Sequence, residues 1–138
     1  MRFPKTRLIM AFSGLLALTA ASTSNAHHSF AMFDNTKCFN ISGTVRTMQW
    51  NFPHSWIWLN VPDGKGGVVA WGFEGEPPSN LSQEGWKKTS LKKGDKVTVR
   101  YSPLRDGRNG GAFSGVTLAD GSVLASVRGR NDICAPKK

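Results

Sequence analysis

The chain has 138 residues, with 18 Lys and Arg against nine Asp and Glu, five Trp, three His and two Cys. It contains no Gly-x-x-x-x-Gly-Lys-Ser/Thr, Gly-x-Ser-x-Gly or His-Glu-x-x-His pattern, so the P-loop, serine-hydrolase and zincin chemistries have no anchor here. Neither Cys has metal-ligand spacing around it, which argues against a thiolate metal site.

The first 26 residues read as an export signal. Arg2, Lys5 and Arg7 form a positive start, Leu8 to Ala21 is apolar, and Ser24-Asn25-Ala26 places small residues where a signal peptidase reads. The apolar run is too short for a typical membrane span, and no other run is long enough for one, so no transmembrane anchor is expected in the mature chain. Cleavage after Ala26 would leave about 112 residues, enough for one domain with one core. The signal segment holds three of the 18 basic residues and none of the nine acids, leaving 15 against nine, a net charge of +6. That surplus favours acidic partners, and an exported protein is not expected to meet nucleic acid. In an oxidising compartment Cys38 and Cys134 are expected to pair and to close a loop spanning nearly the whole domain.

Residues 27–40 read as an N-terminal segment and 41–138 as a β domain. Ile41, Gly43 and Val45 alternate with Thr44, Arg46, Met48 and Trp50 in a first strand. The stretch Trp50-Asn51-Phe52-Pro53-His54-Ser55-Trp56-Ile57-Trp58-Leu59 concentrates three of the tryptophans and one histidine. From His54 the pattern has period two. Ser55, Ile57, Leu59 and Val61 make the core face, and His54, Trp56, Trp58 and Asn60 face the other way. Pro53 lacks an N–H and restricts Phe52, so the chain should turn there, bending the long first strand and leaving His54 just past a corner. A turn at Pro62 to Gly67 leads to a third strand, Val68 to Phe73. Pro77-Pro78 stops it. Ser79 or Asn80 then caps a helix of about two turns, with Gln83 in capping-box position and Gly85 at its end. Lys96 to Tyr101 is the clearest strand, with Val97, Val99 and Tyr101 inward. Ala112 to Leu118 and Ser122 to Val127 follow, joined by a hairpin turn at Ala119-Asp120-Gly121. Three strands, one short helix, then two or three strands is the layout of an OB-fold, a small Greek-key barrel. An immunoglobulin-like sandwich is the alternative, and it would want about seven strands with no helix between them.

A family resemblance runs along most of the mature chain. Its residues are His27-His28-Ser29-Phe30, Gly43-Thr44-Val45, Trp50 to Trp56, Trp71-Gly72-Phe73-Glu74, Gly85-Trp86, Gly94-Asp95-Lys96-Val97 and Ser102 to Gly107. The chain resembles an uncharacterised family of small exported proteobacterial proteins that open with His-His-Ser after a signal peptide and carry an Asn-Pro-His-type motif. Here Phe52 separates Asn51 from Pro53. The resemblance implies export and a single domain, and it brings no activity.

The chemistry must therefore come from the residues. All three histidines lie at the new N-terminus or at the corner. A terminal His27 offers an α-amine and an imidazole to one metal, and His28 or His54 can complete a three-nitrogen set suited to copper. This arrangement is similar to the histidine brace of periplasmic copper carriers and oxidative polysaccharide monooxygenases, matched here at the terminal His alone. Met32 and Met48 are soft donors for Cu(I), and Glu74 and Glu76 are carboxylate candidates. A second constellation is the tryptophan set Trp50, Trp56, Trp58, Trp71 and Trp86, a stacking surface for sugars or planar ligands. The N-terminal segment could instead cover it as a small second core. A third is the loop Ser102 to Gly111, whose Arg105 and Arg108 can grip carboxylate or phosphate. The expected role is a periplasmic, non-enzymatic binding protein for a metal ion, with His27, His28 and His54 as metal ligands. Trp50, Asn51, Trp56, Trp58, Glu74, Arg105 and Arg108 are the further ligand-binding candidates. The alternatives are an adaptor for an acidic or saccharide ligand and a copper-dependent oxidase or monooxygenase.

Overall fold

A computed structural model describes residues 31–126 and Cys134. Six strands and one helix follow in order: β1 (Phe39–Gln49), β2 (Trp56–Pro62), β3 (Val68–Glu74), α1 (Pro78–Gln83), β4 (Lys96–Pro103), β5 (Gly110–Thr117) and β6 (Val123–Ala125). Sheet order is β3-β2-β1-β4-β5-β6, and β3 also pairs with β5. That extra pairing is parallel, Gly72 to Glu74 against Gly110 to Ala112. It closes β1 to β5 into a five-stranded barrel with the helix between β3 and β4, the OB-like arrangement expected from the element order. β6 is a short addition to the outer edge of β5.

The period-two reading of β2 is borne out. Ser55, Ile57 and Leu59 are buried, whereas His54, Trp56, Trp58 and Asn60 are half-buried on the opposite face. Ile57 and Leu59 join Val45, Phe73, Val97, Val99, Tyr101, Phe113 and Val116 in the barrel core. Leu81 of α1 belongs to the same buried cluster, together with Trp86 and Leu91. The Trp86 Nε1–H donates to the carbonyl of Ala125 (2.7 Å), which satisfies the polar edge of a buried indole and ties the helix exit to β6.

Two local expectations are corrected. The bend in the long first strand is not at Pro53. β1 pairs with β4 through Thr44 and with β2 from Thr44 onward, and its register against β2 shifts between Val45 and Thr47. One extra residue, Arg46, is accommodated there, and such a bulge bends and twists a strand so that it can serve two neighbours. Pro53 lies beyond the end of β1, in the connection to β2, where the Phe52–Pro53 peptide is cis. The helix also starts earlier than expected. Its N-cap is Pro77, Pro78 occupies the first turn, and no side chain caps it. Proline suits that position because its φ is already helical and its missing N–H would have had no intrahelical acceptor. Asn80, freed from capping, donates instead from Nδ2 to Glu76 Oε2 (3.1 Å). The exit is as expected, with Gly85 at φ 91°.

Cys38 and Cys134 form a disulfide with their Cα atoms 5.2 Å apart, across a sequence separation of 96. Ahead of it, Ala31 to Lys37 runs along the barrel as an ordered arm. Phe33 is buried and bridges Leu104, and the Asp34 N–H donates to the carbonyl of Pro103 (2.8 Å). Among the described residues, no helix is long and apolar enough to cross a membrane.

Candidate functional site

The corner between β1 and β2 is built around His54. Its backbone neighbour Ser55 is locked onto the far end of β3: the Ser55 N–H donates to the Glu76 carbonyl (3.2 Å), and the Gly75 N–H donates to the Ser55 carbonyl (2.8 Å). This two-sided clamp carries the β2–β3 ladder past Trp56↔Glu74 and sets the imidazole beside Gly75. The Nδ1 of His54 lies 3.1 Å from the Gly75 carbonyl oxygen and 3.5 Å from Glu74 Oε1. A carbonyl only accepts, so this contact requires the proton on Nδ1, and in the neutral ring the lone pair is then on Nε2. Metal-binding imidazoles are commonly oriented in this way, with one nitrogen donating to a carbonyl or carboxylate.

The imidazole is one wall of a cleft of about 420 Å³ lined by Met32, Gln49, Asn51, Phe52, Pro53, His54, Trp56 and Glu74. Glu74 is buried, at 5% relative exposure, and is the one carboxyl among the described residues lining the cleft. Phe52 is its opposite, a phenyl ring 72% exposed at the rim. The arm supplies the remaining wall. Met32 reaches the cleft because the Arg105 N–H donates to the Met32 carbonyl (2.9 Å) and Arg105 Nε donates to the Ala31 carbonyl (3.1 Å).

A second cleft, of about 250 Å³, adjoins the first and shares Met32 and Trp56 with it. Its other lining residues include Phe33, Trp58, Gly72, Leu104, Arg108 and Asn109. The indoles of Trp56 and Trp58 are near-parallel, with centroids 5.8 Å apart and planes at 16°. Trp58 faces Gly72 across the ladder. A Cβ at residue 72 would come within 2.7 Å of the Trp58 ring, so glycine is what lets the indole lie flat on the sheet.

The residues singled out from sequence thus divide. His54, Asn51, Trp56 and Glu74 come together in the first cleft, and Trp56, Trp58 and Arg108 in the second. Trp50 and Trp71 pack against the barrel core, and Trp86 belongs to it. Arg105 lines neither cleft and instead holds the arm. His27 and His28 lie outside the described residues. Among those described, no group of three or more His, Cys, Asp and Glu converges as a metal site. The clamp on Ser55 and the glycine beneath Trp58 were missed from sequence. Gly72 between Trp71 and Phe73, in a strand facing a tryptophan-rich one, was the available sign of close backbone approach.

No curated protein matches the chain. Among solved structures it is similar to a chain described as the crystal structure of the ZRD-deleted mutant of TiaS in complex with agmatine, at 17% identity and a TM-score of 0.39. The alignment covers 75% of this chain and 25% of that one, so the chain spans about a quarter of the length of the structure it matches. A family model matches residues 15–113, and the chain belongs to that family, the family of unknown function DUF6152.

Proposed function

We propose that the chain is an exported binding protein that holds a metal ion at the His54 corner, with copper the metal its donors suit. The observation that carries this reading is the fixed imidazole: Nδ1 is held at the Gly75 carbonyl beside buried Glu74, which in the neutral ring puts the lone pair on Nε2, and His54 and Met32 line the same cleft. Imidazole nitrogen with a thioether nearby is a donor set that favours copper over harder cations. The arm gives the terminal histidines a route to it. His28 precedes Met32 by four residues, a span of at most about 14 Å in extended chain, and Met32 itself lines the cleft. His27 with its α-amine, His28 and His54 would then be the ligands. Glu74 would act through His54, orienting the ring and raising its basicity. Export accords with the Cys38–Cys134 disulfide, since such bridges persist in oxidising compartments.

Cu(II) titration of protein processed to begin at His27, followed by calorimetry and electron paramagnetic resonance, tests the reading. Stoichiometric binding weakened by His54→Ala, and separately by one extra residue ahead of His27, is the expected result. Weak binding indifferent to His54 would reduce the site to a His-His tail and overturn the proposal.

A further inference from the structure

The second cleft has a chemistry of its own that does not depend on a metal. Its floor is the near-parallel Trp56–Trp58 pair, held flat by Gly72. Its walls are Met32, Phe33 and Leu104, and at its mouth stand Arg108 and Asn109. The Arg108 guanidinium is held on one side only. Its Nε donates to Asp106 Oδ2 (2.7 Å), and its own backbone N–H donates to Asp106 Oδ1 (3.1 Å). That carboxylate stays ionised well into acid, because bonds from the Arg108 backbone and side chain pull its pKa below the usual range. Among the described residues, neither terminal nitrogen of the guanidinium donates to a protein acceptor. A fork oriented at Nε with its terminal N–H groups presented outward is arranged to take a carboxylate from solvent.

We infer that this cleft binds a pyranose ring bearing a carboxylate, the acidic unit of a uronic-acid saccharide. Indole faces pack against the C–H face of a sugar ring and exclude water there, while one guanidinium selects the acid. This combination of an apolar floor and few polar groups is what gives small sites their specificity. The volume, about 250 Å³, falls below the roughly 300–1,000 Å³ of drug-sized pockets and suits a single ring with its neighbours left in solvent. The surplus of basic residues beyond the signal segment, 15 against nine, favours a polyanionic saccharide over a neutral one.

The test uses trigalacturonate, its methyl ester and maltotriose as probes, with intrinsic tryptophan fluorescence as the readout and a chelator present throughout. Trigalacturonate should bind saturably, about tenfold more tightly than the ester, which keeps the ring and loses the charge. Arg108→Gln, at an exposed position that should not disturb folding, should bring the acid down to the ester's affinity and leave the ester unchanged. Trp58→Leu, checked for folding by circular dichroism, should weaken both. Equal binding of acid and ester, indifference to Arg108→Gln, or no saturable response up to about 10 mM would overturn the inference. Chelation separates this result from the copper reading, because loss of the metal should not alter it.

Discussion

Arg105 binds through Nε to the carbonyl of Ala31, 74 residues earlier in the chain, at 3.1 Å. The same residue's backbone N–H takes the Met32 carbonyl at 2.9 Å. A single loop residue thus grips two consecutive peptides of the arm and brings Met32 to the shared wall of both clefts. Arg105→Ala removes the side-chain bond and keeps the backbone one. Being exposed, the change should cost less than about 1 kcal/mol of global stability. Its effect should be local, with faster amide exchange and faster proteolysis at Ala31 to Phe33 while the barrel strands keep their protection. Unchanged exchange in the arm would show that buried Phe33 holds the arm by itself.

The disulfide should matter more to stability than to shape. Cys38 precedes β1 and Cys134 follows β6, so the bridge closes a loop around the whole barrel. For loops of this size the chain-entropy model gives roughly 4–5 kcal/mol, and measured losses run about 2–5. The strand pairings do not pass through the bridge, so reduced protein should retain its far-ultraviolet circular dichroism and melt at a lower temperature. Non-reducing mass spectrometry checks the bridge, and melts with and without reductant check its contribution.

Asp34 gives the arm a dependence on acid. Its carboxylate accepts from the Thr36 hydroxyl (2.6 Å) and the Thr36 N–H (3.2 Å) and pairs with Lys37 (3.1 Å). These contacts, the Thr36 hydroxyl first, hold its pKa down to about 2 from an ordinary 3.8. A carboxyl depressed on folding contributes stability above its unfolded pKa and loses it as pH falls through the folded value. The turn at Asp34 to Lys37 should therefore be intact above about pH 4 and should loosen between about pH 4 and pH 2. Carboxyl-carbon chemical shifts of Asp34 should give the low midpoint, and Thr36→Ala should raise it. A midpoint near 3.8 in the unmodified protein would show that the turn does not form in solution.

Much of the fold was legible because strand periodicity and turn residues act locally. Val97, Val99 and Tyr101 alternate with charged or polar neighbours, and all three are buried. The β2 face was readable for the same reason. Illegible were the features created by two distant segments meeting. The bulge at Arg46 exists only because β1 serves both β2 and β4, and nothing in the local sequence marks it. The fate of the tryptophans was similarly hidden. Alternation put Trp56 and Trp58 on the outer face, but the burial of Trp86 depends on the carbonyl of Ala125, 39 residues away. At the candidate site, His54 and its corner were visible in sequence, whereas its bond to Gly75 required the β2–β3 register. Arg105 and Arg108, two loop arginines of equal promise, were separated only by where the arm docks.

The closure of the barrel rests on glycine, and this should be measurable. β5 begins Gly110-Gly111, and both residues sit where β3 and β4 converge on it. A Cβ on Gly111 would collide with the carbonyl oxygen of Ser102 and would crowd the Tyr101 ring at 2.6 Å. The first obstacle is backbone within a ladder, so relief requires β4 and β5 to separate rather than a rotamer to change. Gly111→Ala should therefore destabilise by about 3 kcal/mol or more, at or beyond the upper end of the usual cost of overpacking a tight interior. Gly64 provides the comparison. It has φ 72° in the β2–β3 turn, and a Cβ there meets nothing within 4 Å, so Gly64→Ala should cost only the strain of the left-handed backbone, about 1–2 kcal/mol. Urea unfolding of the two variants should put Gly111→Ala below Gly64→Ala. The buried variant should also show faster amide exchange at Gly72 to Glu74, whose parallel pairing with β5 depends on the same approach. If the two variants unfold at the same urea concentration with β3 protection unchanged, the β3–β5 seam tolerates a side chain, and the close packing of glycine is not what shuts the barrel.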